Sequence, residues 1–260
     1  MEVLGLQFDI VWENKPANYA KARSLLAAAR PSRGALVVLP EMFATGFSMN
    51  VAGIAEPAGG PTERFLAATA REFGVTLLGG VVRPGDSGKG RNEAVAFSPA
   101  GVELARYAKL HCFTPAGEGE HYEPGRQLAL FAAGSARVAP FICYDLRFPE
   151  VFRAAALQRP EVLAILANWP AVRLEHWLTL LRARAIENQA YVVGVNRCGA
   201  TPKLEYAGRS LIVDPQGRVL ADGGAGEGQV RAALDLPGLE RYRREFPILP
   251  DLRRDFVPHP

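Results

Sequence analysis

SARVAPFICYDLRFPEVFRAAALQRPEVLAILAN, residues 135–168, contains two apolar runs separated by a segment with helical spacing. The runs at 135–143 and 161–168 predict strands. The segment 149–158 predicts a helix, because a proline stands at its first position. A strand, a helix and a second strand in this order are typical of an α/β domain.

The same alternation continues on both sides of this stretch. The turn sequences Ser-Pro-Ala-Gly and Asp-Pro-Gln-Gly mark two hairpins. Further strands are predicted at 3–11, 34–40, 75–83, 191–197 and 229–236, hairpins over 92–111 and 209–222, and helices at 17–30, 61–74 and 172–190. The sequence therefore predicts an α/β domain with mixed sheets in two similar halves.

The composition is that of an ordinary globular chain and argues against several classes of function. The 260 residues, 48% hydrophobic and 22% charged, allow one large domain or two small ones. A net charge of +3 does not suggest nucleic-acid binding, and we find no phosphate loop, membrane span or signal peptide in the sequence. Three cysteines without CxxC spacing and four histidines without HExxH predict no metal site and a reducing cytoplasm.

Three polar residues stand at or just past the carboxyl end of a predicted strand: Glu41, Lys109 and Cys143. Ligands of α/β sheets bind at this end, because the strand ends and the following loops form a crevice. Taken singly, each has an ordinary explanation as a solvated loop acid, a surface lysine or a small core residue. Their coincidence is what indicates a functional site.

The chemistry of the three groups is complementary. A cysteine thiol, with an ordinary pKa of about 8.5, needs a base or a cation nearby to react at neutral pH. Glu41 is a candidate base, and the Lys109 ammonium can stabilise a thiolate and an oxyanion. A helix beginning near Pro149 adds backbone N–H groups. Together these groups suffice for acyl transfer through a covalent intermediate.

Histidine is the alternative base. His111 would point the same way as Lys109 if the strand continued, and we interpret it as a hydrogen-bonding support for the site. His176 is interpreted as a residue on a helix face. A Cys–His hydrolase stays open as an alternative, although neither histidine has an identifiable Asn or Asp partner in the sequence.

Several motifs in this order resemble the nitrilase superfamily of carbon–nitrogen hydrolases. They are LPEMFATGF, YAKLHCF, CYDLRFPE, NWP, RARAIENQAYVVGVNR and DPQG. The resemblance covers nearly the whole chain and implies an αββα sandwich of two mixed sheets with helices outside. It also implies a single domain over 1–260, a homodimer, and a C-terminal tail from about 237 that packs on the sandwich or on a dimer partner.

The resemblance implies a role for each site residue. Cys143 would be the nucleophile, Glu41 the general base and Lys109 the group that stabilises the tetrahedral intermediate. The backbone N–H of Tyr144 would complete the oxyanion hole. No metal or other cofactor is implied.

The family often has a second glutamate after the lysine, and the sequence offers Glu118 and Glu120, of which the spacing favours Glu118. Cys112 stands where the family usually has an apolar residue. Strand alternation would turn it away from Lys109, so we interpret it as packing. Cys198 is interpreted as structural.

Within the family, the motifs PEMFATGFSMN, CYDLRFPEVF and ANWPAVRLEHW most resemble those of the omega-amidase branch. It implies a small-molecule amide substrate, 2-oxoglutaramate or 2-oxosuccinamate, with a carboxylate opposite its amide. Arg173 is the first candidate for that carboxylate, whereas Arg147 is expected to pack behind the nucleophile. Phe47, Tyr144 and Trp169 are candidate pocket walls.

Three alternatives are kept. A different amide or a carbamoyl substrate on the same residues is the nearest, and a nitrile substrate is a second. A binding or scaffold protein without catalysis is the third. The intact set of Glu41, Lys109 and Cys143 argues against it, because a protein without catalysis has no chemical need for these three groups together.

Overall fold

The computed structural model describes residues 1–256, without the side chain of Arg254. The strands are β1 (Glu2–Gln7), β2 (Leu36–Val38), β3 (Thr76–Pro84), β4 (Gly90–Phe97), β5 (Glu103–Ala108), β6 (Phe131–Ala133), β7 (Ala136–Ile142), β8 (Val162–Ala167), β9 (Tyr191–Asn196), β10 (Cys198–Ala200), β11 (Glu205–Ala207), β12 (Leu211–Val213), β13 (Val219–Asp222) and β14 (Gly228–Ala233). The α-helices are α1 (Lys15–Ala29), α2 (Val51–Ile54), α3 (Pro61–Phe73), α4 (Glu118–His121), α5 (Pro149–Ala156), α6 (Leu174–Asn188) and α7 (Leu236–Glu245).

The two halves of the chain build two six-stranded sheets on the same plan. The first has the order β14-β1-β2-β3-β4-β5 and the second the order β13-β12-β9-β8-β7-β6. In each, three parallel strands form the centre, β1-β2-β3 and β7-β8-β9, and antiparallel strands flank them. A parallel centre needs crossover helices, and these cover the outer faces.

The side chains of strand β1 alternate between the outer helix layer and the core between the two sheets. Leu4 and Leu6 pack with the apolar face of α1, whereas Val3 belongs to the core between the sheets. At Gly5 the sheets approach so closely that an added Cβ would lie 2.6 Å from a methyl group of Val195 in β9. The predicted αββα sandwich is therefore confirmed.

Helix α6 packs equally closely on the outer face of the second sheet. An added Cβ at Gly194 of β9 would lie 2.6 Å from Leu181 and 3.0 Å from Trp177, both on α6. Within residues 1–256, no helix is both long enough and apolar enough to cross a bilayer.

The structure differs from the sequence prediction mainly at short elements and at the chain end. The strand expected to run to residue 111 ends at Ala108, and α2, α4, β6, β10 and β11 were not predicted. These elements are three or four residues long, too short for a periodic signal.

The predicted C-terminal tail begins as helix α7. There Leu239 is buried, and the buried Arg243 donates to the carbonyl oxygens of Gln189 and Pro160 at 2.9 and 2.6 Å. Residues 257–260 of the tail lie outside the described residues.

Candidate active site

The carboxyl ends of three strands bring Glu41, Lys109 and Cys143 to one edge of the sandwich. Lys109 and Cys143 follow β5 and β7 directly, and Glu41 comes three residues after β2. Glu41 and Lys109 are 0% and 2% exposed, and Cys143 is half-buried at a pocket. Two sheets contribute to the site, which explains why residues so distant in sequence meet there.

Lys109 lies between two carboxylates. Its Nζ is 3.0 Å from Oε1 of Glu41 and 2.8 Å from Oε2 of Glu118. The side-chain amide of Asn92 donates to the same two carboxylates at 2.8 and 3.1 Å, and the backbone N–H of Phe113 donates to Glu118 at 2.5 Å. Of the two candidate glutamates, Glu118 is thus fully buried in the site, whereas Glu120 is exposed.

The second oxygen of Glu41 is held by the end of β8. The backbone N–H of Asn168 donates to Glu41 Oε2 at 2.8 Å, and the Asn168 side chain donates to the Glu41 carbonyl oxygen at 2.6 Å. All partners of the Glu41 carboxylate are donors, as its ionised form requires. Asn168 had a sequence signal, since it too follows an apolar strand, but Asn92, near the start of β4, had none.

The charges of the site set the protonation states of lysine and thiol. Burial alone would lower the pKa of Lys109, but the carboxylates of Glu41 and Glu118 outweigh it and raise that pKa above its ordinary value. Burial, and then the Glu41 carboxylate, raise the pKa of Cys143 well above its ordinary value, with Lys109 opposing them. The resting site therefore pairs an ammonium with a neutral thiol.

Cys143 begins a 3-10 turn, Cys143–Arg147, and has a left-handed backbone with φ of 45°. A non-glycine residue in that region costs about 1–3 kcal/mol and persists only where its surroundings hold it. Helix α5 starts two residues beyond the turn, at Pro149. The strained turn joins strand β7 to helix α5, a sharp strand-to-helix junction of the kind that can present a side chain to a pocket.

A pocket opens in front of the thiol. Besides Glu41, Lys109 and Cys143, it is lined by Phe47, Phe113, Ala116, Tyr144, Arg147, Asn168, Trp169, Pro170, Arg173, Leu204 and Tyr206. The predicted wall residues Phe47, Tyr144 and Trp169 are all present, and so is Arg173. The Phe47 ring lies 5.0 Å from the Lys109 Nζ, within cation–π range.

The expectation that Arg147 packs behind the nucleophile is wrong. Its guanidinium lies in the pocket, 4.7 Å from the centroid of the Trp169 ring. Burial, followed by the charge of Arg173, lowers the pKa of Arg147. The Arg173 guanidinium stands 5.4 Å from the Phe113 ring. The 3-10 turn carries residue 147 back toward the pocket, where two neighbouring guanidinium groups favour an anionic ligand.

The two candidate histidines have other contacts. His111 donates its backbone N–H to Asp145 and contacts the same oxygen through its ring, at 2.9 and 2.8 Å. The ring of His176 lies 3.1 Å from Arg147. Among residues 1–256, neither lines the pocket. His111 does have an acidic partner, which lies 34 residues away in sequence and was not recognisable there.

The other two cysteines lie outside the pocket. The Cys112 thiol contacts the Tyr122 carbonyl oxygen at 3.7 Å, and burial raises its pKa to about 11. Because β5 has ended by then, a loop directs Cys112 away from Lys109, and strand alternation plays no part. Cys198 in β10 is buried, and burial raises its pKa to about 11 as well.

We expect Lys109→Met to lower the free energy of unfolding by about 3–5 kcal/mol, because it leaves two buried carboxylates without their counter-ion. Urea denaturation measures the loss. Adding Glu118→Gln to this variant should restore part of it, since one unpaired charge is removed. Lys203→Met, at an exposed lysine, is the control. A Lys109→Met variant as stable as the control would contradict the prediction.

Comparison with known proteins supports one family. The model of the carbon–nitrogen hydrolase family matches residues 5–244. The 2-oxoglutaramate amidase of Bacillus subtilis (strain 168) is 37% identical, covering 96% of each chain. Omega-amidase YafV of Yersinia enterocolitica is 39% identical, over 95% of this chain and 94% of its own.

Solved structures with the same fold belong to the same superfamily. XC1258 from Xanthomonas campestris, a CN-hydrolase superfamily protein with an arsenic adduct in its active site, superimposes with a TM-score of 0.91 at 32% identity, covering 97% of both chains. Nit3 of Saccharomyces cerevisiae, a member of branch 10 of the nitrilase superfamily, gives a TM-score of 0.88 at 27% identity, over 98% of this chain and 97% of its own. This chain therefore belongs to the carbon–nitrogen hydrolase family of the nitrilase superfamily.

Proposed function

We propose that the protein is an omega-amidase, which hydrolyses the terminal amide of 2-oxoglutaramate or 2-oxosuccinamate to the dicarboxylic acid and ammonia. The observation that carries the proposal is a single pocket lined by Cys143, Lys109 and Glu41 together with the Arg147–Arg173 pair, with Glu118 bonded to Lys109. Such a pocket suits a short molecule with an amide at one end and a carboxylate at the other. Relatives named for this activity support it.

The first half of the reaction forms a thioester. Glu41 accepts the thiol proton while Cys143 Sγ attacks the amide carbonyl carbon, and the carbonyl oxygen becomes an oxyanion. The Lys109 ammonium and the Tyr144 N–H stabilise that oxyanion. Glu41 then gives its proton to the departing nitrogen, the C–N bond breaks, and ammonia leaves.

The second half releases the acid. Glu41 takes a proton from water, whose oxygen attacks the thioester carbon, and the C–S bond breaks as Cys143 regains a proton. Lys109 stays protonated throughout, because its two carboxylate partners raise its pKa. Glu118 contributes by holding Lys109 and keeping it charged. No metal or other cofactor takes part in these steps.

The arginine pair selects the far end of the substrate. A guanidinium binds a carboxylate through two parallel N–H bonds, and the 2-oxo group places a further acceptor beside it. Glutamine differs from 2-oxoglutaramate by an ammonium in place of that oxo group. Two guanidinium groups repel an ammonium, so we propose that they discriminate against the amino acid.

The test is a substrate panel with arginine variants. We expect ammonia release from 2-oxoglutaramate to exceed that from glutamine and from a simple nitrile by about 10²-fold or more. Arg173→Met and Arg147→Met should each raise KM for 2-oxoglutaramate by about 10- to 100-fold, because each removes a charged hydrogen-bond donor from the carboxylate.

Butyramide is the control for the arginine variants, because it has the same amide and no carboxylate. Its kinetics should be unchanged in both variants. Equal losses on both amides would show that the arginines support the fold of the pocket and do not bind a carboxylate. Absence of turnover with 2-oxoglutaramate in the wild-type protein would overturn the proposed substrate.

We further propose that the protein is a cytoplasmic homodimer. All three cysteines are free, which suits a reducing compartment. Ile186 on α6 and Phe246 after α7 are 46% and 56% exposed on the helical layer of the second sheet, and a second subunit would cover them. Sedimentation equilibrium measures the subunit number.

A further inference from the structure

Asp145 is a fully buried carboxylate in the turn that follows the nucleophile. It accepts three hydrogen bonds and contacts one histidine ring nitrogen. One oxygen accepts from the Tyr107 hydroxyl at 2.7 Å and from the Ile142 N–H at 3.1 Å. The other accepts from the His111 N–H at 2.9 Å and contacts His111 Nδ1 at 2.8 Å. So complete a set of partners holds the carboxyl group in a defined position.

The partners of Asp145 come from the two segments that carry the reacting groups. Tyr107 and His111 stand two residues before and two residues after Lys109. Ile142 and Asp145 stand on either side of the Cys143 backbone. One carboxylate therefore ties the end of β5 in the first sheet to the turn after β7 in the second.

The donors on the β5 side are themselves fixed. Burial, and then the Asp145 carboxylate, raise the pKa of Tyr107 well above its ordinary value, so its hydroxyl stays a donor. The His111 ring is stacked on Phe148, with 3.8 Å between the ring centroids. Phe148 belongs to the same connection between Cys143 and α5, so the stacking reinforces the link between the segments.

We propose that Asp145 is a positioning residue that holds the left-handed Cys143 turn and sets the separation between the Cys143 thiol and the Lys109 ammonium. The role rests on the proposed function, since it concerns the attack of that thiol on an amide. Asp145 acts only through the backbone of its own turn and through the segment around Lys109.

Asp145→Asn removes the charge while keeping the volume, and it cannot satisfy all four partners. Its NH₂ group must face either the Ile142 N–H or the His111 N–H, and two donors repel. One segment therefore loses its attachment whichever way the amide is oriented. We expect kcat on 2-oxoglutaramate to fall by about 10²-fold, as for a misplacement of about 1 Å, with KM changed by less than about threefold.

The decisive readout uses no substrate. Iodoacetamide labelling of Cys143, measured by mass spectrometry beside Cys112 and Cys198, should slow in Asp145→Asn by about tenfold or more, because the thiol is no longer held against its base. A variant that is folded by circular dichroism and labels Cys143 within twofold of the wild-type rate would overturn the proposal.

A milder pair of variants covers the case in which Asp145→Asn does not fold. Tyr107→Phe removes one bond to Asp145 and should slow Cys143 labelling by about three- to tenfold. Tyr191→Phe is the matched control, because within residues 1–256 its hydroxyl bonds only the backbone of Asp235, at 3.2 Å, at the start of β9 and far from the Cys143 end of the second sheet. Equal labelling rates in these two variants would also overturn the proposal.

A double variant separates positioning from general loosening. Because Tyr107 acts through Asp145, adding Tyr107→Phe to Asp145→Asn should change the labelling rate by less than about twofold. If the two effects multiply in full, the proposed link between Tyr107 and Asp145 is wrong.

The labelling rate of Cys143 also separates the positioning role from the proposed function. Wild-type protein that labels Cys143 no faster than Cys112 would refute the proposed function, whereas fast labelling in both wild type and Asp145→Asn would refute only the positioning role.

Discussion

Cys143→Ala is expected to lower ammonia release from 2-oxoglutaramate by about 10⁴- to 10⁶-fold, because the variant has no atom that can form the thioester. The other groups of the pocket remain, so binding should persist. Isothermal titration of the variant with 2-oxoglutaramate should therefore still detect the complex, while a coupled ammonia assay measures the loss of turnover.

The other cysteines supply the controls. Cys112→Ala and Cys198→Ala change residues that lie outside the pocket, and both should retain turnover within a few-fold of wild type. Hydroxylamine added to wild-type protein during turnover should trap the acyl group as a hydroxamate, which a thioester forms readily. Turnover that survives in Cys143→Ala would mean that water attacks the amide directly, and the thiol mechanism would have to be abandoned.

Glu41→Gln should lower kcat by about 10²- to 10⁴-fold, the usual contribution of a general base. The change keeps the shape of the side chain but removes the carboxylate that, in the proposed mechanism, takes the thiol proton and returns it to ammonia. With the new amide oxygen in the place of Oε1, Asn92 and Lys109 can still donate to it, whereas the Asn168 N–H then faces the amide nitrogen.

The pH dependence of iodoacetamide labelling makes this prediction sharper. The Glu41 carboxylate adds to burial in raising the pKa of Cys143, so its removal lowers that pKa, although burial still keeps it above the ordinary value. At neutral pH the variant thiol is protonated and has no base, so Cys143 should lose its advantage over Cys112 and Cys198. Its labelling should then rise steeply with pH, because only hydroxide forms the thiolate, while the wild-type profile stays flatter.

Glu120→Gln is the matched control for Glu41→Gln. It makes the same change in an exposed glutamate beside Glu118, and its turnover and labelling should equal those of wild type. If Glu41→Gln labels Cys143 as fast as wild type at neutral pH, then Glu41 is not the base for the thiol. The alternative would be a base supplied by water.

Sequence patterns were enough to predict an α/β domain with mixed sheets in two similar halves, and the resemblance to the nitrilase superfamily implied the αββα sandwich. Long apolar strands and periodic helices such as α3 and α5 are specified by local patterns, and their order along the chain gives the alternation. The convergence of Glu41 and Lys109 also has a local origin. Both follow strands that run in the same direction in one sheet, and the carboxyl ends of such strands share an edge.

Only the tertiary structure revealed the partners that surround these residues. Asn92 lies near the start of the unremarkable strand β4, and its role as a donor to both Glu41 and Glu118 depends on how this strand, the loop after β2 and the one-turn helix α4 meet. Arg147 was misplaced because the path of a tight turn decides on which side of the nucleophile it emerges. Asp145 joins segments 34 residues apart in the chain. Hydrophobic periodicity is a property of residues that are neighbours in the sequence. A buried polar network is made of groups that become neighbours only when the chain has packed. For that reason the strands and helices could be predicted from the sequence and the polar network could not.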